Sequence, residues 1–328
     1  MATIIATFYK FFPQPDFAER RKPLQTACQK EKIKGTILLA PEGINGTIAG
    51  SEAAIQRIFT FLRSDPRCGD LEYKESKAEN PPFARLKVRL KKEIVTLGVE
   101  EIDPNQQVGT YVQPKDWNAL ITDPEVLVLD TRNNYEVNIG SFKGAINPQT
   151  HSFREFPAYV DQHLAPTKHK KIALFCTGGI RCEKATSLML NKGFQAVYHL
   201  KGGILKYLAE VPAQESLWEG ECFVFDERIA VKHGLEFGTY QMCGSCGHPV
   251  SPAEQTSPKY QAGISCPYCY ANLTEEKRKR REEKQRQLQL TAKRKLKNVS
   301  APELAHQRSA PTHELPDHPD VFFDSASE

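Results

Sequence analysis

Apolar and polar positions along the first hundred residues fall into short segments of distinct period. Thr3 to Phe8 is a β-branched run of strand character, and Phe17 to Ile33 has the pattern of a helix. Gly35 to Leu39 reads as a second strand, with Thr47 to Ala49 as its return. Ser51 is placed to cap a helix running through Leu62, because Ile55, Ile58, Phe59 and Leu62 recur at helical spacing behind it. Phe83 to Leu97 supplies a last strand or strand pair. Between the central strands lies Pro41-Glu42-Gly43-Ile44-Asn45-Gly46-Thr47. Asn45-Gly46 predicts the hairpin turn there, since both residues tolerate positive φ. A functional use of the same loop would rest on Glu42-Gly43, a carboxylate and a flexible backbone beside a ligand.

The order βαββαβ predicts a ferredoxin-like (acylphosphatase-like) sandwich over residues 1–98. Val99 to Pro114, with Asp103-Pro104 and Gly109, has linker composition, so 99–113 is taken as the connection. Beyond it the pattern changes to buried strands alternating with helices. Val126 to Leu129 and Ile172 to Phe175 are short, wholly apolar runs. A helical pattern starts near Arg181, Ala196 to Leu200 is another strand, and Gly202-Gly203 opens a further helix. This is the signature of a central α/β domain with a parallel sheet, placed at 114–215. An extension follows over 216–274, then a polar segment predicted as a basic helix over 275–298. Residues 299–328, rich in Pro, Ser, His and acid, are expected to be disordered.

At 328 residues the chain has room for two or three domains. Met1 to Phe12 carries no basic leader or cleavage pattern, and no apolar stretch approaches the length of a membrane span. Nine cysteines, four of them at metal-type spacing, point to a reducing, cytoplasmic setting rather than a disulfide framework.

The densest chemistry lies in Cys176-Thr177-Gly178-Gly179-Ile180-Arg181, which leaves the strand at Phe175 and leads into a helix. A cysteine there faces unpaired backbone N–H groups and the positive end of a helix dipole. Both favour thiolate, and Arg181 adds a fixed positive charge that can stabilise an anion. Gly178 and Gly179 allow left-handed angles, so several N–H groups can converge on one cradle. Cys182, six residues after Cys176, is a candidate resolving thiol. Its helical spacing with Ala185 and Met189 favours plain packing instead.

Upstream stand Asp130-Thr131-Arg132 and Glu136. With the cysteine loop and the Gly202-Gly203 turn, this Asp-x-Arg-x3-Glu segment resembles the rhodanese domain over roughly a hundred residues. In that family the loop cysteine carries a persulfide during sulfur transfer, a role that maps onto Cys176. Related phosphatases use Cys-x5-Arg, whereas Cys176 to Arg181 is Cys-x4-Arg, which excludes the phosphatase reading.

Cys243-Gly-Ser-Cys246 and Cys266-Pro-Tyr-Cys269 are separated by nineteen residues. Four thiolates on two knuckles close a tetrahedron, so Cys243, Cys246, Cys266 and Cys269 predict a structural zinc site. His248 is close enough in sequence to compete but reads as a bystander. From Glu275 to Lys297 eleven basic residues stand against four acidic ones, a net +7 in a chain of net +4, which leaves the remainder at −3. Such a run binds polyanions or forms a solvated helix of Glu–Lys pairs.

Taken together, the Glu-Gly-Ile-Asn-Gly-Thr loop, the Cys-Thr-Gly-Gly-Ile-Arg-Cys-Glu-Lys segment and the trailing four-cysteine knuckle resemble the tRNA uridine(34) hydroxylase family of rhodanese-containing proteins. The resemblance covers about residues 1–280. It implies 5-hydroxylation of the wobble uridine of tRNA with molecular oxygen as co-substrate, and Cys176 as active-site cysteine. The sequence carries no two-histidine-one-carboxylate set, dinucleotide fingerprint or haem motif, hence no organic cofactor motif. A sulfurtransferase feeding a tRNA-thiolation or cofactor pathway, and a non-catalytic RNA-binding scaffold, are the competing readings. For an anticodon loop delivering one base to Cys176, Lys201 and Lys206 around the Gly-Gly turn are the candidate RNA contacts.

Overall fold

The computed structural model describes residues 3–78, 82–226 and 228–298. They form two compact units, 1–238 and 239 onward. The tail expected to be disordered, 299–328, lies outside the described residues.

The first unit opens with β1 (Thr3–Phe11), α1 (Phe17–Lys30), β2 (Lys34–Ala40), β3 (Gly43–Gly50), α2 (Glu52–Arg63), β4 (Lys74–Ala78) and β5 (Leu86–Leu90). The sheet order is β4-β1-β3-β2-β5: the βαββαβ sandwich is as expected, but its last strand is Lys74–Ala78, paired on β1, and the segment expected to supply it, Phe83 to Leu97, gives β5, added parallel to β2 at one edge. Alternation decides which face is buried. Ile4, Ala6 and Phe8 of β1, Ile37 and Leu39 of β2, and Ile44 and Ile48 of β3 all turn to the helices. There they meet Leu24 and Cys28 of α1 and Ile55, Ile58, Phe59 and Leu62 of α2. Ser51 caps α2 as expected, its hydroxyl accepting from the Ala54 N–H at 3.3 Å. Helix α1 stops at Lys30, three residues short of expectation, because Lys32 turns left-handed at φ 55°.

The predicted hairpin turn is displaced. Asn45 and Gly46 lie inside β3, opposite Leu38 and Ile37, and the chain reverses at Pro41-Glu42. Packing overrides local turn chemistry at both residues. A Cβ on Gly46 would stand 2.7 Å from the Phe8 ring, and the Asn45 amide donates to the Ile94 carbonyl at 3.0 Å. The strained glycine is Gly43, at φ +144° and against the Lys10 carbonyl.

The rest of this unit holds β6 (Thr110–Val112), α3 (Pro114–Ile121), β7 (Val126–Asp130), α4 (Asn134–Val137), β8 (Gly140–Phe142), α5 (Phe156–His163), β9 (Lys171–Phe175), α6 (Ile180–Asn191), β10 (Ala196–Leu200) and α7 (Gly203–Glu210). Short pairs follow: β11 (Trp218–Gly220) on β8, and β12 (Cys222–Phe223) with β13 (Ala230–Val231). Strands β6, β10, β9 and β7 form a parallel sheet in that order. The segment predicted as linker therefore contributes β6, an edge strand. Along β9, Ala173 and Phe175 pack toward α3 and α7, while Ile172 and Leu174 pack toward α5 and α6. A sheet buried on both faces explains the unbroken apolar runs.

The second unit contains β14 (Gln241–Met242), β15 (Pro249–Val250), α8 (Pro252–Gln255) and α9 (Glu275–Asn298). Its buried centre is little more than Cys243, Val250 and Cys266. No helix among the described residues is long and apolar enough to cross a membrane.

Candidate functional site

Cys176 follows β9 directly, and Gly179, at φ +104°, turns the chain into α6. The Gly179 N–H donates to the Cys176 sulfur at 3.1 Å. The Cys182 thiol and its backbone N–H face the same sulfur. Burial pushes the Cys176 thiol up, but the Cys182 thiol, the Arg181 charge and these N–H groups outweigh it and bring it down to about 6. The comparison with other buried thiols is informative: burial alone pushes Cys28 up to about 12. Burial and the adjacent Cys176 together keep Cys182 protonated. Cys182 is thus both a core residue, packed with Ala185 and Met189, and a neighbour of the reactive sulfur.

The loop is held from outside as well. Thr177 donates to Glu136 at 3.4 Å, and the Cys176 and Thr177 carbonyls accept from the Ile204 and Leu205 N–H groups at the start of α7. A Cβ on Gly203 would stand 2.5 Å from the Cys176 carbonyl, which explains the Gly-Gly turn. Arg181 makes a bidentate pair with the buried Glu136 carboxylate, at 2.7 and 2.8 Å. It is therefore a fixed strut carrying charge near the sulfur rather than a free anion clamp. Asp130 and Arg132 form a second pair, at 2.7 Å and fully buried, that ties β7 to the Gly140 carbonyl. The ionisable residues of Asp-x-Arg-x3-Glu are scaffolding for the loop.

The sequence reading missed what comes from the first sheet. Lys74 of β4 donates to the Gly178 carbonyl at 2.5 Å and to the Gly202 carbonyl, so one ammonium joins the cysteine loop to the Gly-Gly turn. Burial brings its pKa down to about 8, with the Cys176 sulfur acting against the fall. The Tyr9 hydroxyl donates to Glu183 at 3.0 Å, Tyr111 donates to the other oxygen at 2.6 Å, and Ile180 packs on Phe11, Ala40 and Ile94. Burial raises the Glu183 pKa, the two hydroxyls opposing. Cys176 itself is 1 % exposed. Lys201 is exposed, whereas Lys206 is half-buried, 3.3 Å from the Gln113 amide oxygen.

Glu42 finds its use here. Lys184, two residues beyond Cys182 and 1 % exposed, pairs with Glu42 at 2.7 Å and with Glu93. Glu42 also accepts from the Ile94 N–H at 2.6 Å. Burial raises the Glu42 pKa, and the Lys184 ammonium opposes the rise. Lys184→Met leaves two carboxylates facing each other without a cation. It is expected to cost about 3–5 kcal/mol, read as a lowered denaturant midpoint with unchanged slope. A midpoint equal to that of the wild type would show the triad to be inert.

In the second unit the sulfurs of Cys243, Cys246, Cys266 and Cys269 all lie within 4.8 Å of one another. Cys246 and Cys266 are 3.6 Å apart, and Cys266 and Cys269 3.8 Å. Disulfides need about 2.05 Å. Four sulfurs each about 2.3 Å from a central ion would stand roughly 3.8 Å apart, so the cluster can hold a tetrahedral metal ion. His248 stacks on Tyr268, ring centroids 3.6 Å apart, and is not a member.

Two family models match the chain: a UPF0176 acylphosphatase like domain over residues 3–94, and a rhodanese-like domain over residues 113–210. A protein of Picosynechococcus sp. named tRNA uridine(34) hydroxylase is 62 % identical over 275 residues, covering 84 % of this chain and 92 % of its own. Among solved structures, a rhodanese-like domain from Anabaena sp. is 20 % identical, covering 34 % of this chain and 80 % of its own, with a TM-score of 0.29. An acylphosphatase from Coxiella burnetii is 15 % identical, covering 27 % and 93 %, with a TM-score of 0.22.

Proposed function

The chain belongs to the tRNA uridine(34) hydroxylase family, and on that premise we propose that it hydroxylates C5 of the wobble uridine of tRNA with Cys176 as the reacting sulfur. The observation that supports the assignment of Cys176 is the convergence of the Gly179 N–H, at 3.1 Å, the Cys182 thiol and N–H and the Arg181 charge on one buried sulfur, all of which favour the thiolate. In this account the thiolate adds to C6 of the uracil ring, and the electron pair moves to C5 and the O4 carbonyl. Backbone N–H groups of the loop and the Arg181 charge favour the anion. Carbon 5, now electron-rich, takes oxygen from dioxygen, and loss of the C5 proton with departure of the sulfur restores the ring.

The balance assigns Cys182 its role. One oxygen atom of dioxygen goes to C5, the other leaves as water, and two electrons are required. Closing Cys176 and Cys182 into a disulfide releases two electrons, and an external thiol reductant would reset the pair. The Cys182 thiol facing the Cys176 sulfur supports this reading.

Because Cys176 is sealed, the anticodon loop gains access only when Tyr9 and Lys74 lift from the cysteine loop. Lys201 and Lys206 then hold phosphates on either side of the flipped base. The four-cysteine cluster binds one zinc ion in a structural role, all four positions being filled by sulfur. The sulfurtransferase and scaffold readings have no comparable support from the relative.

Incubating unmodified tRNA with the purified protein, a thiol reductant and 18O-labelled dioxygen tests the proposal. Nucleoside mass spectrometry is expected to show 5-hydroxyuridine carrying the heavy isotope. Label entering from water instead of dioxygen would remove the oxygen chemistry given above.

A further inference from the structure

Helix α9 is joined to the cysteine knuckles by a specific seam. Arg281 donates to the Ile264 and Ser245 carbonyls, both at 3.3 Å, reaching the flank of each knuckle with one guanidinium. Gly263 is left-handed at φ +75°, and the Gln285 amide of the helix lies against it. Arg278, Arg281 and Gln285 are the partly buried positions, spaced three and four apart, so they mark the docked face of the helix. One residue earlier on each turn stand Lys277, Arg280 and Lys284. All three are exposed, and among the described residues none makes an ion pair. The docked seam therefore fixes the direction in which this cationic row faces.

Beside the first turn of the helix lies an aromatic platform. Tyr270 is 41 % exposed, with the Arg278 guanidinium 5.3 Å from its ring centre. Tyr268 is 45 % exposed and backed by the His248 ring. A half-open ring with a guanidinium over one face, next to a row of unpaired cations, has the chemistry of a base-stacking site on its other face beside a phosphate track. An acidic protein surface would use the row, and the ring beside it is what favours RNA, because a base stacks on it.

We propose that the second unit is an RNA-binding module in which Lys277, Arg280 and Lys284 track phosphates while Tyr270 stacks an unpaired base. This rests on the tRNA reading and adds the surface that grips it. The cysteine cluster acts by holding the seam, so the helix is an oriented arm.

Full-length protein, titrated with a labelled RNA stem–loop and with a fully paired RNA duplex across a range of salt, tests the proposal. Replacing Lys277, Arg280 and Lys284 together by Gln should reduce the slope of log affinity against log salt by about 2–3 on both RNAs, as loss of three phosphate contacts requires. Tyr270→Ala should weaken the stem–loop about fivefold or more and leave the duplex unchanged, while Tyr270→Phe should bind both as the wild type does. Metal content equal to wild type confirms that each variant retains the knuckle. An unchanged salt slope, or a Tyr270→Ala effect equal on both RNAs, overturns the module. With polyglutamate as a third titrant, equal loss of its binding and of RNA binding in the triple variant, with no effect of Tyr270→Ala on either, also overturns it. Hydroxylation by the wild type is scored separately: binding as expected without 5-hydroxyuridine would sink the enzyme assignment and spare the surface.

Discussion

Stripping the metal from Cys243, Cys246, Cys266 and Cys269 is expected to unfold residues 239–291 and leave the first unit folded. The second unit has almost no apolar centre of its own, its strands are two residues long, and α9 is polar nearly all round. Such a segment cannot offset the entropy of ordering its chain through burial alone. Bonds from the four sulfurs to the proposed zinc ion would supply the difference, since structural zinc sites of this type contribute about 10 kcal/mol at neutral pH. The first unit keeps its cores around two sheets. Chelation, or Cys243→Ser, should therefore expose 239–291 to limited proteolysis with loss of the α9 helical signal, while 1–238 survives as a resistant fragment. Metal analysis of the untreated protein should return about one zinc per chain. A metal-free protein with an unchanged digestion pattern would show that the knuckles fold without it.

How much of this was legible in the sequence depends on the distance over which each feature is determined. The loop from Cys176 to Arg181 was legible because sulfur, glycines and arginine are contiguous and the strand before them is wholly apolar. Helix α2 was legible for the same local reason, a cap followed by four apolar residues at helical spacing. Strand β4 was not. Lys74-Glu75-Ser76-Lys77-Ala78 has no apolar alternation and exists through edge pairing with β1. Nothing local marks Lys74, which bonds to the Gly178 carbonyl 104 residues away. The same distance hid the partner of Glu42, Lys184 in α6, so that a carboxylate read as facing a ligand belongs to a buried ion pair, and it made Asn45-Gly46 look like a turn. Arg181 follows the loop in the sequence, but its pairing with Glu136 is a fact of tertiary packing.

The reactive sulfur is the centre of the account, and Cys176→Ser is its most direct test. A serine hydroxyl keeps the loop's shape but has no thiolate to offer near neutral pH, so addition to C6 and the two-electron exchange with Cys182 both fail. Removing a covalent nucleophile commonly costs a factor of at least about a thousand. Wild-type and Cys176→Ser proteins, matched for metal content and stability, should be supplied to cells lacking the native protein, and their tRNA nucleosides measured by mass spectrometry. The account predicts that wild type restores 5-hydroxyuridine and its derivatives while Cys176→Ser leaves them at the level of the deficient cells. Full restoration by Cys176→Ser, or a loss of thiolated rather than hydroxylated uridine in the deficient cells, would contradict it.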